Sequence, residues 1–283
     1  MGVDEKALGQ RLQAARQQAG LTQQELCQRA GLSISTLAKI ERGAIKAPSI
    51  FTVSAIAAVV GVPLQQLVGE PRPPAGVPAK KRSRGGVRFV YFDVNGVLIR
   101  FFHRAFAKIA EDTGVSPDQI ETNFWHHNDE VCRGRLSLEQ FNRIMANQFE
   151  SPGFKWEDYY FASIVPIPEM HELLRWAAQH YHVGLMSNIM PGFLQRMIAE
   201  GQLPDVAYDA VVDSSEIGAI KPEPRMYEIA QQMAGVEPGE ILFIDDGRTN
   251  VMAAEHAGWR VIWFDDYHPA ESADRVRASL EFE

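Results

Sequence analysis

Hydrophobic positions follow two different rhythms along this chain. In the first part they recur at three- and four-residue spacing. Leu8, Leu12 and Ala15 share one face of a helix expected over 10–18, which Gly20 stops. Thr22, with Glu25 three residues later, has the form of a capping box, so a second helix is expected to about Ala30. Gly31 supplies a turn, Ser33 caps a third helix over 34–41, and Gly43 ends it. Two further short helices are expected over 50–60 and 64–68. From Val87 the rhythm changes. Short apolar runs at 89–92, 182–186 and 241–244 alternate with helical stripes, which predicts a right-handed, mainly parallel sheet. Runs apolar on both faces belong to strands covered on both sides. Between Arg100 and about Pro166 the strand rhythm vanishes. Ala105, Phe106, Ile109 and Ala110 form one helical stripe, and 136–149 carries another. A helical insertion after the first strand is therefore expected.

Between the two rhythms, 71–86 holds four prolines, three glycines and the run Lys80-Lys81-Arg82-Ser83-Arg84. It reads as an exposed, basic linker. The expected domains are 1–70, the linker 71–86, and 87–283 with its insertion at about 101–166. Charge follows the same division. The net charge of −8 comprises +2 over 1–70, +5 over the linker and −15 over 87–283. Overall acidity thus does not exclude nucleic-acid binding by the front of the chain, and the basic run could assist it by counterion release.

A length of 283 residues, 46% of them apolar, allows two ordinary cores. No run is long and apolar enough to cross a membrane, and the N-terminus lacks a basic segment followed by an apolar one. The two cysteines, Cys27 and Cys132, fall in different expected domains and read as intracellular thiols. The expected location is the cytoplasm.

Chemistry-bearing residues gather at strand ends. The first strand ends in Asp93, the second in Ser187-Asn188 and the third in Asp245-Asp246, with Lys221 between the last two. Singly, each has a bland reading. Asn95-Gly96 can make a hairpin turn, Ser187-Asn188 a helix cap, and a lone lysine is usually solvated. Together, in this order, they resemble the four motifs of the haloacid dehalogenase superfamily, mostly phosphatases, over about 87–266. Phosphoryl transfer needs a nucleophile, a neutralising cation and donors for the phosphoryl oxygens.

The resemblance implies a Rossmann-like α/β domain with a helical cap inserted after the first strand. Asp93 would be the nucleophile. Asp93, the carbonyl of Asn95, Asp246 and the neighbouring Asp245 would hold Mg²⁺. Ser187, Asn188 and Lys221 would hold the phosphoryl group, and Asn250 stands where the superfamily often has a second acid or an Asn. Cap residues Trp125, His126 and His127 are substrate-contact candidates, and Phe101, Phe102 and His103 behind the first motif are candidates to line the entrance. One departure matters. Active phosphatases of this superfamily usually carry Asp where Asn95 stands, and a neutral amide cannot do general acid–base work.

The segments 21–26 and 35–43 resemble the Cro-like phage-repressor (XRE) family of helix-turn-helix domains, over about 5–70. This implies an all-α DNA-binding domain ahead of the α/β one. Ser33, Ile34, Ser35, Thr36 and Lys39 at the start and outer face of the third helix would face the major groove, with Gln23 and Arg42 on phosphates. A homodimer on double-stranded DNA is expected. The whole chain reads as a DNA-binding transcription regulator fused to a Mg²⁺-dependent phosphatase acting on a phosphorylated small molecule. One alternative is a regulator whose second domain senses such a molecule with weak turnover. Another is a phosphatase of nucleic-acid ends.

Overall fold

The structure, a computed structural model, describes residues 5–43, 45, 48, 50–62 and 80–281. The chain divides into two compact units, 1–77 and 78–283. The first contains helices α1 (Glu5–Gln18), α2 (Gln23–Ala30), α3 (Ile34–Glu41) and α4 (Ile50–Val60). The helix expected over 64–68 lies outside the described residues. Thr22 and Glu25 form the capping box: Glu25 N donates to Thr22 Oγ1 at 3.2 Å, and Thr22 N donates to Glu25 Oε2 at 2.8 Å. Gly31 takes the left-handed conformation that ends α2. Leu12, Leu26, Leu37 and Ile56 are fully buried at the centre of this unit. Gly9 lets α1 lie close against α3; a Cβ there would come within 2.5 Å of the Ile40 carbonyl oxygen.

The second unit is built on a five-stranded sheet, β1 (Phe89–Phe92), β4 (His182–Ser187), β5 (Ala210–Asp213), β6 (Ile241–Asp245) and β7 (Arg260–Trp263), in the order β5-β4-β1-β6-β7 with every neighbouring pair parallel. The central strand β1 is buried throughout, and its alternation feeds two cores. Val90 and Phe92 join the larger one, while Phe89 and Tyr91 pack on the opposite face with Met186, Val212 and Phe243. Flanking helices are α9 (Pro168–His180), α10 (Phe193–Ala199), α11 (Ser214–Ile217), α12 (Pro224–Ala234), α13 (Arg248–His256) and α14 (Pro269–Ser279).

The insertion lies between β2 (Ile99–Arg100) and β3 (Val165–Pro166), which pair antiparallel and tie its two ends together. Among the described residues it holds four helices: α5 (Phe102–Thr113), α6 (Pro117–Cys132), α7 (Leu138–Gln148) and α8 (Trp156–Ser163). They meet on an aromatic core of Phe106, Phe124, Phe141 and Trp156.

Of the expected linker, residues 71–79 lie outside the described residues, and 80–86 make hydrogen bonds to the second unit. Ser83 is buried, its hydroxyl accepts from Val87 N at 3.0 Å, and Arg84 N donates to the Glu281 carbonyl at 3.0 Å. Arg82 pairs with Glu240 at 3.1 Å, and Lys80 donates to the Ala178 carbonyl. These polar partners hold the segment on the α/β unit, so its charges are not all free for a distant ligand. Cys27 and Cys132 are both buried free thiols. Among the described residues no helix is long and apolar enough to cross a membrane.

Candidate active site

The strand order places the carboxyl ends of β4, β1 and β6 side by side, the edge at which open α/β sheets bind ligands. Asp93 follows β1 and Asp245 closes β6. Lys221, from the loop before α12, reaches between them. Its Nζ is 2.8 Å from Asp93 Oδ1 and 2.6 Å from Asp245 Oδ2, and all three side chains are buried. Burial works against the Lys221 ammonium, but Asp245 and Asp93 outweigh it and hold the group protonated beyond the usual lysine range. Burial pushes the Asp93 carboxyl well up, Lys221 opposes this, and Asp245 and Asp246 add to the rise.

Asp245 is the most fully satisfied of the acids. Besides Lys221, it accepts from Gly247 N at 2.7 Å and Asn250 Nδ2 at 2.9 Å. Asp246 lines the cavity beside it, and burial, with Asp245 next, pushes its carboxyl up to about 6. Trp263 Nε1 fixes the backbone here by donating to the Asp246 carbonyl at 2.8 Å. Gly96, at φ +89°, lets the first loop approach this acid; a Cβ there would stand 2.2 Å from Asp246 Oδ2. Carboxylate oxygens of Asp93, Asp245 and Asp246 lie within 4.8 Å of one another. Three carboxylates with one ammonium leave an acidic, oxygen-rich cluster, a donor set that fits a hard divalent cation such as Mg²⁺. Asp245, already bonded through both oxygens, is the least available of the three.

Ser187 Oγ, at the end of β4, is fully buried and has no hydrogen-bond partner. An orphaned donor at a strand end fits an incoming anion. Asn188 has a role the sequence did not suggest. Its side chain clasps the Lys221 backbone, accepting from Lys221 N at 2.7 Å and donating to the Lys221 carbonyl at 2.9 Å. Asn95 is fixed from two sides: its Nδ2 donates to the Asn188 carbonyl at 3.2 Å, and its Oδ1 accepts from the Tyr160 hydroxyl at 3.0 Å. Tyr160 comes from α8, so one amide joins the cap to two loops of the sheet edge.

Above these groups lies a cavity of about 230 Å³, lined below by Asp93, Asn95, Asn188, Lys221, Asp246 and Asn250. The cap contributes Phe102, Phe124, Trp125, Asn128, Asp129 and Trp156. Of the expected contacts, Phe101, Phe102 and Trp125 line it. His103, His126 and His127 do not; His126 and His127 stack edge-on at 4.7 Å instead. Helix α6 explains the difference, because it turns Trp125, Asn128 and Asp129, spaced by three and four residues, to the same side. That spacing was available in the sequence, whereas Tyr160 had no local signal.

In the first unit, Ile34, Ser35, Lys39 and Arg42 are exposed and Thr36 is partly so. Ser33 is engaged as the cap of α3, accepting from Thr36 N at 3.0 Å and sharing a hydrogen bond with the Thr36 hydroxyl at 2.7 Å. Gln23, a phosphate-contact candidate, is also held by a partner within this unit. It donates to Glu41 Oε2 at 2.7 Å, joining a buried pair in which Arg16 Nε lies 2.7 Å from Glu41 Oε1.

Residues 12–67 match the family model described as helix-turn-helix, and residues 87–258 match that of the haloacid dehalogenase-like hydrolase. The D-ribitol-5-phosphate phosphatase of Bacteroides thetaiotaomicron is 22% identical over 202 residues, 66% of this chain and 94% of that protein. The immunity repressor protein of Bacillus phage phi105 is 43% identical over 63 residues, 22% of this chain and 43% of that protein. The solved HAD family enzyme bt-2542 of Bacteroides thetaiotaomicron, a complex with magnesium and inorganic phosphate, superimposes with a TM-score of 0.54 at 20% identity, over 64% of this chain and 96% of that one. The hydrolase match alone spans more than half the sequence, so the chain belongs to the haloacid dehalogenase-like hydrolase family, with a repressor-type helix-turn-helix domain ahead of the hydrolase fold.

Proposed function

We propose that this protein is a DNA-binding regulator whose second unit hydrolyses a phosphate monoester with Mg²⁺. The observation that carries the reading is Asp93 held by Lys221 at the floor of a capped cavity, with Asp246 and the orphaned Ser187 hydroxyl at the same sheet edge. Asp93, Asp246 and the Asn95 carbonyl would hold the ion, which when bound neutralises charge on the phosphoryl oxygens. Asp93 attacks phosphorus, the bond to the ester oxygen breaks, the alcohol leaves with a proton taken from water, and an aspartyl phosphate forms. Water then cleaves it, releasing inorganic phosphate and restoring Asp93. Lys221 holds Asp93 in line and offers positive charge to the phosphoryl group, while Ser187 and Asn188 offer donors to its oxygens. The cap keeps bulk water off the reacting centre.

Asp93→Asn is expected to abolish turnover in a screen of phosphate monoesters, and Asp246→Asn to remove the rise in melting temperature produced by Mg²⁺ alone. Retained Mg²⁺ stabilisation in Asp246→Asn would place the ion elsewhere. The weak-turnover sensor reading rests on Asn95. It is neutral, and its amide is tied to Tyr160 and Asn188, so it supplies no proton to a leaving group.

For the first unit, the exposed outer face of α3 supports binding of duplex DNA, as a dimer on two half-sites. Lys39→Ala with Arg42→Ala is expected to weaken gel-shift affinity for a selected genomic site and flatten its salt dependence, because released counterions scale with phosphate contacts. Unchanged affinity and slope would remove this surface from the interface.

A further inference from the structure

The cap side of the cavity has an uneven charge. Asp129, on α6, lines it together with the neutral amide of Asn128 and the rings of Phe102, Phe124, Trp125 and Trp156. Among the lining residues the one cation is Lys221, and its ammonium already bridges Asp93 and Asp245 at the floor. Arg133 stands near Asp129 but is held outside the lining. Its Nε and NH2 donate to Glu223 Oε1 at 2.9 and 2.7 Å, and NH1 donates to Glu130 at 3.1 Å, leaving Asp129 at 3.8 Å. The part of a substrate beyond its phosphate therefore meets a carboxylate, an amide and aromatic faces. Ring faces carry partial negative charge, so the rings and Asp129 repel the same sign.

We infer that Asp129 acts as a charge filter, admitting monoesters whose alcohol part is uncharged or cationic and disfavouring those that carry a carboxylate or a second phosphate there. This rests on the phosphatase reading of the same site. The cavity volume restricts the alcohol to a small one. Asp129 is 58% exposed in its side chain, so water screens it, and the discrimination is expected at about tenfold rather than thousands.

Three esters with small leaving groups of different charge test this on the full-length protein in Mg²⁺: phosphoethanolamine, glycerol phosphate and phosphoglycerate. The wild type should show kcat/KM about tenfold lower for phosphoglycerate than for glycerol phosphate. Asp129→Asn should narrow that gap several-fold, and Asp129→Lys should invert it. The readout is the ratio between esters, which a folding defect leaves unchanged because it lowers all three rates alike. A ratio that neither variant moves, or a wild type that prefers phosphoglycerate, overturns the filter. Absence of turnover on every ester would count against the phosphatase reading alone. The same comparison is then made by thermal shift with the three esters on Asp93→Asn in Mg²⁺, where equal shifts overturn the filter.

Discussion

Replacing Lys221 with methionine should lower the melting temperature of the second unit by roughly 6–20 °C in metal-free buffer near neutral pH. Lys221 is the counter-charge for two buried carboxylates, at 2.8 and 2.6 Å. Removing one partner of a buried ion pair costs about 3–5 kcal/mol, because the remaining charge keeps its desolvation penalty. In a domain of this size each kcal/mol moves the midpoint by about 2–4 °C. Burial already raises the Asp93 carboxyl in the wild type, and losing Lys221, which opposes that rise, raises it further. With the folded-state pKa above that of the unfolded chain, the folded variant binds more protons and gains stability as pH falls. The deficit against wild type should therefore be largest near neutrality and shrink in acid. A deficit independent of pH, measured by calorimetry in a chelator, would mean that lost packing rather than unpaired charge is responsible. Activity should fall at every pH, since Asp93 loses the group that holds it in line.

Much of this architecture can be read from short stretches of sequence because the physics there is local. Strand β1 appears as an apolar run because both of its faces are covered, and the same holds for β4 and β6. Thr22 and Glu25 announce α2 because a capping box is complete within four residues. The strand-end acids and Lys221 could be read as a set because a parallel sheet brings its carboxyl edges together wherever the connecting segments wander. What stayed hidden depends on contacts between distant segments. The hold of Glu41 on Gln23, eighteen residues away, has no local signal. Tyr160 meets Asn95 across 65 residues, and nothing in the eight-residue α8 singles it out. His126 and His127 attracted attention by residue type, yet the rotation of α6, set by Ile120, Phe124 and Val131 packing inward, puts Asn128 and Asp129 at the cavity instead. Residues 80–86 look like linker by composition. Two of their partners, Glu240 and the Glu281 carbonyl, lie more than 150 residues away.

Asn95→Asp should raise turnover of an alkyl phosphate by about 100-fold while changing an activated aryl phosphate far less. General acid–base assistance is worth about 10²–10⁴-fold, and it matters most where the leaving oxygen is strongly basic. The surroundings of Asn95 favour a working acid. The oxygen facing Tyr160 would go on accepting from its hydroxyl, now at 3.0 Å. The other oxygen would replace Nδ2, 3.2 Å from the Asn188 carbonyl. As a carboxylate it would oppose that carbonyl, oxygen against oxygen; as a carboxylic acid it would donate to it. The environment therefore favours the protonated form and raises the pKa of the new group. The same carbonyl competes with the substrate for the proton, which sets the expected gain at the lower end of the range. The alkyl-ester rate of the variant should fall as pH rises through that raised pKa, a limb the wild type lacks. Turnover of one aryl and one alkyl ester, followed against pH at saturating Mg²⁺, separates the possibilities. If the folded, Mg²⁺-responsive variant is no faster on the alkyl ester at any pH, proton supply at position 95 does not restrain this hydrolase. The slow step would then lie in the second stage, where water must reach phosphorus beneath a cap that Tyr160 ties to the sheet edge.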